Sequence, residues 1–177
     1  MLLKLHFHHL DVNTAFLNRI LQEEIYICLP QGIGLNSGKF VQLLHSIYRL
    51  KKASQVWNEL LNTELGKLGF KWITADYCIY VYHTGKEICF LAVYVDDMGM
   101  LTSNLHFMEK LKNLIGKVFK IKDLGPIKQL LGVAINYDQK TGCLELSQSC
   151  YIQQSLEHYG CDDGHTHPTP VRGLPIV

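Results

Sequence analysis

The sequence predicts an α+β fold in which an antiparallel sheet carries helices on one face. Short apolar runs such as "EICFLAVYV" at residues 87–95, and alternating runs such as "EEIYICLP" at residues 23–30, predict strands. The polar turns "HTGKE" and "DQKTG" join pairs of these runs, as in hairpins of neighbouring antiparallel strands. Segments with helical spacing separate the hairpins, and this order is typical of α+β domains.

Each predicted strand is a short apolar or alternating run that ends at turn residues. These strands lie at residues 7–12, 23–30, 40–44, 77–83, 87–95 and 98–102, and a further hairpin covers residues 130–147. Pro30 stops the second strand because it has no amide to donate. The loop composition of "QGIGLNSGK", at residues 31–39, predicts a connection without regular structure.

Three segments have apolar residues at helical spacing, and each has a start or stop signal. They are residues 54–70, with Ser54 as the N-cap and Gly69 as the stop, residues 104–119, with Asn104 as the N-cap, and residues 147–160, closed by Gly160. The Pro-rich tail at residues 161–177 is expected to be extended or loose.

Length and composition allow one domain with a core, since 47% of the 177 residues are apolar. The net charge of +1 neither requires nor excludes a polyanion partner, so a nucleic-acid site would have to be local. Six scattered cysteines without a CxxC pair indicate reduced, mostly buried thiols in a cytosolic or nuclear protein. No apolar run approaches the ~20 residues that span a bilayer, so no membrane partner is expected.

Two adjacent carboxylates, Asp96 and Asp97, follow the most apolar predicted strand in "FLAVYVDDMGM". Ionised carboxylates are costly to bury unless they are paired, so this position is either a wet turn or a cation site. Asp11 also ends a predicted strand, and three carboxylates at one sheet rim would suit Mg²⁺ or Mn²⁺. A solvated pair at a turn is the alternative.

Five motifs in order and spacing resemble one known family, the reverse transcriptases of copia-type LTR retrotransposons. They are "LDVNTAFLNRILQEEIYICLPQGI", "SIYRLKKASQVW", "LAVYVDDM", "FKIKDLGPIKQLLGVAI" and "LELSQSCYIQQSL", which run from about Leu5 to about Pro170. The resemblance implies the palm subdomain of right-hand polymerases, and therefore template-directed DNA synthesis in retrotransposition.

The resemblance implies a catalytic triad of Asp11, Asp96 and Asp97. These residues and the carbonyl of Val12 would hold two Mg²⁺ or Mn²⁺ ions. The nucleophile would be a primer 3′-hydroxyl, and a deoxynucleoside triphosphate (dNTP) would supply the α-phosphate. The expected partners are therefore an RNA or DNA template-primer, dNTP and other domains of a Pol polyprotein.

The same resemblance assigns further binding residues. The nucleotide-binding set is Phe16, Tyr94, Lys51 and Lys52, and the primer/template set is Leu124, Gly125, Leu131 and Gly132. Phe16 would lie under the incoming sugar and exclude a 2′-hydroxyl, and a plain core position is the alternative. Lys122 is a candidate for protonating the leaving pyrophosphate.

The chain departs from the family pattern "SLYGLKQAPRQW" at several positions. Arg49 replaces a glycine, which suggests a close backbone approach or an unusual φ at this point. Lys52, Ser54 and Gln55 replace glutamine, proline and arginine, and Gly99 replaces an apolar residue in a strand that glycine should weaken. Two histidine groups, His6/His8/His9 and Cys161/His165/His167, have no second half at structural-zinc spacing and are better explained by packing and by a loose tail.

The resemblance divides the chain into a partial palm at residues 1–125, a primer-grip-like hairpin with the start of a thumb at residues 126–160, and the tail at residues 161–177. In the family a fingers region precedes the first motif, whereas this chain begins about ten residues before Asp11. We expect such a fragment to be inactive alone. A decayed or domesticated remnant that acts as a nucleic-acid-binding or structural module is the alternative. The expected location is cytoplasmic, associated with particles, or nuclear, and not secreted.

Overall fold

The structure, a computed structural model, describes residues 4–18, 20–29 and 38–161. The elements of these residues are β1 (His6–Val12), the 3-10 helix η1 (Ala15–Asn18), β2 (Ile20–Cys28), β3 (Phe40–His45), α1 (Ala53–Lys67), β4 (Lys71–Ile73), β5 (Asp76–Thr84), β6 (Glu87–Tyr94), β7 (Asp97–Thr102), α2 (Leu105–Gly116), β8 (Ile121–Pro126), β9 (Gln129–Leu130), β10 (Val133–Asp138), β11 (Cys143–Ser147) and α3 (Ser149–Tyr159). No helix in these ranges is long and apolar enough to cross a membrane.

The described strands form three antiparallel sheets. Six strands make the main sheet in the order β4-β5-β6-β7-β1-β8, three make the sheet β11-β10-β9, and β2 pairs with β3. The predicted α+β class with antiparallel pairing is confirmed, but the strands are divided among three sheets instead of one. β1 lies between β7 and β8, so the first strand of the chain becomes an interior strand of the main sheet.

Alternation along the central strands explains which face of the main sheet is buried. One face of β6, β7 and β1 carries fully or nearly fully buried apolar side chains: Cys89, Leu91, Val93, Met98, Met100, Leu10 and Val12. Burial of one such large side chain contributes roughly 1.5–3 kcal/mol. The opposite face carries Phe7, His9 and Asp11, which are only partly buried.

Helices α1 and α2 cover the buried face. α1 buries Trp57, Leu61 and Leu65, and α2 buries Phe107, Leu111 and Ile115, so each helix uses an i, i+4, i+8 stripe. These residues join the strand residues in a single core cluster. The predicted cap of α2 is confirmed, since the Asn104 side chain accepts a hydrogen bond from the Phe107 amide at 2.7 Å.

One buried charge connects α2 to the main sheet. Lys112 is 6% exposed, and its ammonium donates to Asp123 at 2.7 Å and to Glu109 at 2.9 Å. It also lies 2.9 Å from Nδ1 of His8. Burial lowers the pKa of His8 below its usual value, and the positive charge of Lys112 lowers it further. Neutral His8 is therefore the form that suits this contact.

The C-terminal elements are attached loosely. α3 has no buried residue, and every residue of β11 is exposed. Gly160 ends α3 in the left-handed conformation, with a φ of +62°, as the sequence predicts. Residues 126–160, for which the sequence predicts a primer-grip-like hairpin and the start of a thumb, begin at the last residue of β8 and contribute little to the core.

Two sequence expectations are wrong. Ser54 is not the N-cap of α1, because the Ala53 amide already donates to the Leu50 carbonyl at 3.0 Å, and helical bonding starts before Ser54. The cysteines are not mostly buried, since Cys89 alone is buried and the other five are exposed on β2, β5, β11, α3 or its end. Burial raises the pKa of Cys89 to about 12. All six cysteines are free thiols, as expected.

Some expectations concern residues outside the described ranges. These are the stop at Pro30, most of the loop at residues 31–39, the ligand candidates His165 and His167, and the tail after Cys161.

Candidate active site

Strand pairing brings the three predicted carboxylates to one end of the main sheet. Asp11 of β1 and Asp97 of β7 are directly opposite each other in the register. Asp96 occupies the turn that precedes β7, and its carbonyl accepts a hydrogen bond from the Val12 amide at 2.8 Å. Directly opposite residues on antiparallel strands share a face, with Cβ atoms roughly 4.5–5.5 Å apart. Lys122 of β8 is the register partner of Asp11 on its other side.

The turn that carries Asp96 is strained and is held from two sides. Val95 and Asp96 alone separate the paired residues Tyr94 and Asp97, and the φ of Val95 is +56°. A β-branched residue in this left-handed region is a genuine outlier. The Trp57 indole N–H donates to the Val95 carbonyl at 2.8 Å, and the Val12 amide holds the Asp96 carbonyl. Strain of this kind persists where the surroundings over-determine the backbone.

Trp57 is itself fixed in the core. Its side chain is 3% exposed, and its ring meets the Phe119 ring edge-on, with 5.4 Å between centroids. Because α1 carries Trp57 and the main sheet carries the turn, the indole hydrogen bond ties the position of the helix to the position of Asp96.

Tyr48 connects the predicted sugar-side aromatic residue to the carboxylate pair. Its hydroxyl donates to Oδ2 of Asp96 at 3.0 Å, and its ring lies edge-on to the Phe16 ring, with centroids 4.6 Å apart. Burial raises the pKa of the Tyr48 hydroxyl, and the hydrogen bond to Asp96 and the negative charges of Asp96 and Asp11 raise it further. Tyr48 is therefore a protonated donor at neutral pH.

His9 makes the equivalent contact to the other member of the pair. Its Nε2 lies 2.8 Å from Oδ1 of Asp97, across the pairing of β1 with β7. His9 is two residues before Asp11 and lies on the same face of β1. From the sequence, this histidine is explained by packing within a strand, and that explanation does not include its contact with Asp97.

The donor chemistry at this end of the sheet suits a hard divalent cation, since three carboxylates and a backbone carbonyl are oxygen ligands. The side chains nevertheless do not converge. Within the described ranges, no group of three or more His, Cys, Asp and Glu side chains is arranged to hold a metal ion. Asp96 is directed to Tyr48 and Asp97 to His9 instead.

Two of the four predicted nucleotide-binding residues lie together beside the turn. Phe16 and Tyr94 both line a cavity of about 210 Å³, and Trp57 and Val95 form part of the same lining. Phe16 is only 5% exposed and belongs to the core cluster, so Tyr48 covers it from the solvent side. Tyr94 is exposed and is the register partner of Asp97.

The other two nucleotide-binding candidates lie elsewhere. Lys51 and Lys52 line a cavity of about 280 Å³ between β2 and α1, and its lining includes Glu23 but none of the three aspartates. The Lys52 ammonium donates to Glu23 at 2.5 Å, and this hydrogen bond and the charge of Glu23 raise the pKa of Lys52. The structure thus does not bring Lys52 to the carboxylates.

Most of the predicted primer/template residues border a cleft next to Asp97. This cleft, of about 450 Å³, is lined by His9, Asp97, Leu124, Pro126, Lys128, Gln129, Leu130, Leu131 and Gly132. Gly125 is the register partner of His9 and has a φ of +76°. Leu131 and Gly132 form the two-residue turn between β9 and β10, where both have positive φ, of 52° and 77°. The cleft therefore joins the carboxylate end of the sheet to the β9-β10 hairpin.

Comparison with known proteins identifies the family. The sequence model of the family described as "Reverse transcriptase (RNA-dependent DNA polymerase)" matches residues 3–173. The chain belongs to this reverse transcriptase family. It is 33% identical over 174 residues, 97% of this chain, to the retrovirus-related Pol polyprotein from transposon TNT 1-94 of Nicotiana tabacum. It is also 32% identical, over 82% of its length, to the putative transposon Ty5-1 protein of Saccharomyces cerevisiae.

A third relative extends the same pattern. The retrovirus-related Pol polyprotein from transposon RE1 of Arabidopsis thaliana is 30% identical over 94% of this chain. The resemblance to copia-type Pol polyproteins is therefore confirmed. The chain spans 13% of the tobacco polyprotein, 11% of the Arabidopsis polyprotein and 48% of the yeast protein.

Two departures from the reverse transcriptase pattern have a structural counterpart. Arg49, in place of glycine, has a φ of +72°, so the unusual φ expected at this position is present. Gly99 is buried in β7, and a Cβ there would lie 3.1 Å from Cε2 of Phe7 and 3.5 Å from Cδ2 of Leu130. The ring of Phe7 thus fills the place that a side chain at residue 99 would take.

Three residues that the structure places at the site were not selected from the sequence. Tyr48 and Trp57 lie within "SIYRLKKASQVW", and their polar atoms reach Asp96 and Val95 from positions 48 and 38 residues away along the chain. Their signal was available, because buried or half-buried Tyr and Trp usually find a hydrogen-bond partner. His9 was noticed only as part of "HFHH", and period-two alternation from Asp11 was the signal for its face.

Proposed function

We propose that this chain is the palm portion of a copia-type reverse transcriptase, which carries out template-directed DNA synthesis from dNTP at a primer 3′-hydroxyl. The observation that carries the proposal is the register of β1 and β7. In this register Asp11 is opposite Asp97, Asp96 is in the adjoining turn, and Asp97 also lines a cleft. Buried core strands end there in carboxylates, which stability alone does not explain.

The proposed roles follow from these positions. Asp11, Asp96 and Asp97, with the carbonyl of Val12, would hold two Mg²⁺ or Mn²⁺ ions after their side chains reorient. Such ions stabilise the attacking and leaving oxygens of a phosphoryl displacement. The chain itself supplies the carboxylates and a rigid backbone on which the Val12 and Trp57 hydrogen bonds fix the turn.

The cleft is the proposed place for the primer terminus. Leu124 and Leu131 present exposed apolar side chains to it, and Asp97 lies at one end. A primer strand along this cleft would bring its 3′-end toward the carboxylates. Lys122, the register partner of Asp11, would lie beside the triphosphate and is the proposed proton donor to pyrophosphate.

The nucleotide would enter on the side of Tyr94 and Phe16. Because Tyr48 covers Phe16, exclusion of a 2′-hydroxyl by Phe16 requires Tyr48 to move or to form part of the same surface. Lys52 would have to leave Glu23 before it could meet phosphate, and Lys51 is the freer of the two. The remaining contacts would come from Pol polyprotein segments outside this chain, in the cytoplasm or nucleus.

The test is a chimera, because the chain alone is expected to extend no primer. Residues 3–173 would replace the matching segment of the tobacco TNT 1-94 polyprotein, and dTTP incorporation on poly(rA)/oligo(dT) would be measured with Mg²⁺ or Mn²⁺. We expect incorporation that Asp96→Asn abolishes, and none from the isolated chain. A folded chimera without incorporation, or one indifferent to Asp96→Asn, would contradict the proposed function.

A binding measurement distinguishes an active polymerase from a module that only binds nucleic acid. Fluorescence anisotropy with a labelled primer-template should show affinity for the chimera that falls with salt. Binding with no incorporation under any metal condition would favour the decayed or domesticated remnant.

A further inference from the structure

Two of the three carboxylates are engaged by side chains from other parts of the fold. Tyr48, from the segment before α1, donates to Asp96, and His9, from β1, contacts Asp97. We propose that Tyr48 and His9 hold the aspartate pair in a closed arrangement that has to open before a divalent cation can bind. This inference rests on the proposed function, because it concerns the same cation site.

The first step concerns the direction of Asp96. A carboxylate oxygen that accepts a hydrogen bond at 3.0 Å is oriented toward its donor, and here the donor is a phenol on the α1 side. Asp11, the carboxylate with which Asp96 would share a cation, lies on β1; its charge acts on the Tyr48 hydroxyl, but within the described residues it makes no hydrogen bond to that group. Oδ2 of Asp96 is thus directed to Tyr48, and no metal-ligand group of three side chains forms in the described residues.

The second step concerns how firmly Tyr48 is placed. One side of its ring rests edge-on against buried Phe16, at 4.6 Å between centroids. The side chain is nevertheless 51% exposed, so the phenol has solvent into which it can turn. Contact on one side and solvent on the other allow Tyr48 both to hold Asp96 and to release it.

The third step concerns His9. Its Nε2 is 2.8 Å from Oδ1 of Asp97, and the His9 side chain is only 17% exposed. The contact occupies one of the two oxygens of Asp97 on the face that Asp11 shares. His9 also lines the cleft with Asp97, so a primer terminus in the cleft would displace or reorient this pair.

These contacts compete with a cation for the same oxygens. Removing a donor while leaving the carboxylate in place should therefore make cation binding tighter. A contact that positions the carboxylates for the metal would have the opposite effect, since losing a partner that orients a ligand typically weakens metal affinity by about 10–100-fold. The sign of the change thus distinguishes the two roles.

The experiment measures Mn²⁺ affinity of the whole chain from the electron paramagnetic resonance signal of free Mn²⁺. The variants are Tyr48→Phe, which keeps the ring against Phe16, and His9→Leu, each alone and together. Tyr151→Phe is the matched control, because Tyr151 is exposed on α3, an element that carries none of the three aspartates. Asp96→Asn reports the binding that depends on the triad.

We expect each single variant to bind Mn²⁺ roughly three- to tenfold more tightly, the range for losing one modest competing hydrogen bond. Tyr151→Phe should bind Mn²⁺ as tightly as the wild-type chain. Asp96→Asn should lose the Mn²⁺ binding that depends on the triad. If Tyr48→Phe does not fold by circular dichroism, His9→Leu tests the proposal independently, and the reverse also holds.

The outcomes separate this inference from the proposed function. Asp96-dependent binding in the wild-type chain that is unchanged or weaker in both variants would overturn the closed arrangement and leave the cation site standing. No Asp96-dependent binding in any variant, including the double variant, would remove the cation site and with it the proposed function.

Discussion

Replacing Arg49 with glycine should stabilise this protein. Arg49 has a φ of +72°, in the region that residues with a Cβ rarely adopt, and it stands where the family pattern has glycine. Its side chain is exposed and makes no hydrogen bond or ion pair within the described residues. The substitution therefore removes backbone strain without breaking an interaction of the folded chain.

The expected magnitude follows from two opposing terms. The left-handed conformation costs a residue with a Cβ about 1–2 kcal/mol. Because an unfolded glycine has more backbone freedom to lose, folding costs glycine about 0.5–1 kcal/mol more conformational entropy than it costs alanine. Arg49→Gly should thus exceed Arg49→Ala in free energy of unfolding by about 0.5–1 kcal/mol, and its melting temperature should rise by a few degrees at about 2–4 °C per kcal/mol for this size.

The measurement is urea denaturation followed by tryptophan fluorescence, since Trp57 is buried in the core. Arg49→Ala is the control, because it also removes the long charged side chain but keeps a Cβ. An unfolding free energy for Arg49→Gly that is equal to or below that of Arg49→Ala would refute the reasoning, because it would mean that the backbone at residue 49 carries no such strain.

Three further changes test other parts of the structure. Trp57→Phe should lower the free energy of unfolding by about 1–3 kcal/mol, because it leaves the Val95 carbonyl without its donor; a loss no larger than that of an exposed aromatic substitution would argue against the indole bond. Leu131→Asn should raise stability by about 0.5–1 kcal/mol in thermal melts, since two-residue hairpin turns with positive φ favour asparagine; an unchanged melting temperature would count against strain there. The pKa of His8 is lowered by burial and by Lys112, so the neutral form stabilises the fold above pH 6.5, and this stability is lost as the pH falls below 6.5. His8→Asn should flatten that part of the pH–stability curve, and an unaltered curve would place the titration elsewhere.

The fold was largely predictable because its strands carry strong local signals. β5, β6 and β7 are short apolar runs joined by short turns, so their antiparallel order follows from the chain itself. The place of β1 between β7 and β8 does not follow from the chain in this way. The pairing of β1 with β7 joins residues about ninety positions apart in the sequence. That Asp11 and Asp97 both end strands suggested a shared sheet rim, and the family resemblance implied the same grouping, but a local pattern could not specify the register between them.

The contacts around the carboxylates were less predictable than the carboxylates. Asp96 and Asp97 are conspicuous because charge interrupts an apolar run, whereas Tyr48 and Trp57 look like ordinary members of a turn and a helix. Their hydrogen bonds to Asp96 and Val95 depend on where α1 and the segment before it meet the β6-β7 turn. That contact belongs to the tertiary structure and cannot be inferred from the local sequence. The prediction that the cysteines are mostly buried failed for a related reason, since an apolar neighbourhood in the sequence does not show which face or end of a strand the rest of the fold covers.

Positive backbone φ at residues other than glycine is found around the candidate site. In the described part of the chain, the non-glycine residues with positive φ are Thr14, Arg49, Val95 and Leu131. Thr14 follows β1 just after Asp11, Arg49 follows the tyrosine that holds Asp96, Val95 precedes Asp96, and Leu131 lines the cleft beside Asp97. Strained residues are costly, at about 1–3 kcal/mol each, and tend to cluster where function constrains the backbone. These four residues lie on four separate turns. Val95 and Arg49 adjoin Asp96 and Tyr48 in the sequence, Thr14 comes three residues after Asp11, and Leu131 lines the same cleft as Asp97, so the positive-φ residues outside glycine are found around the strand ends that carry the carboxylates.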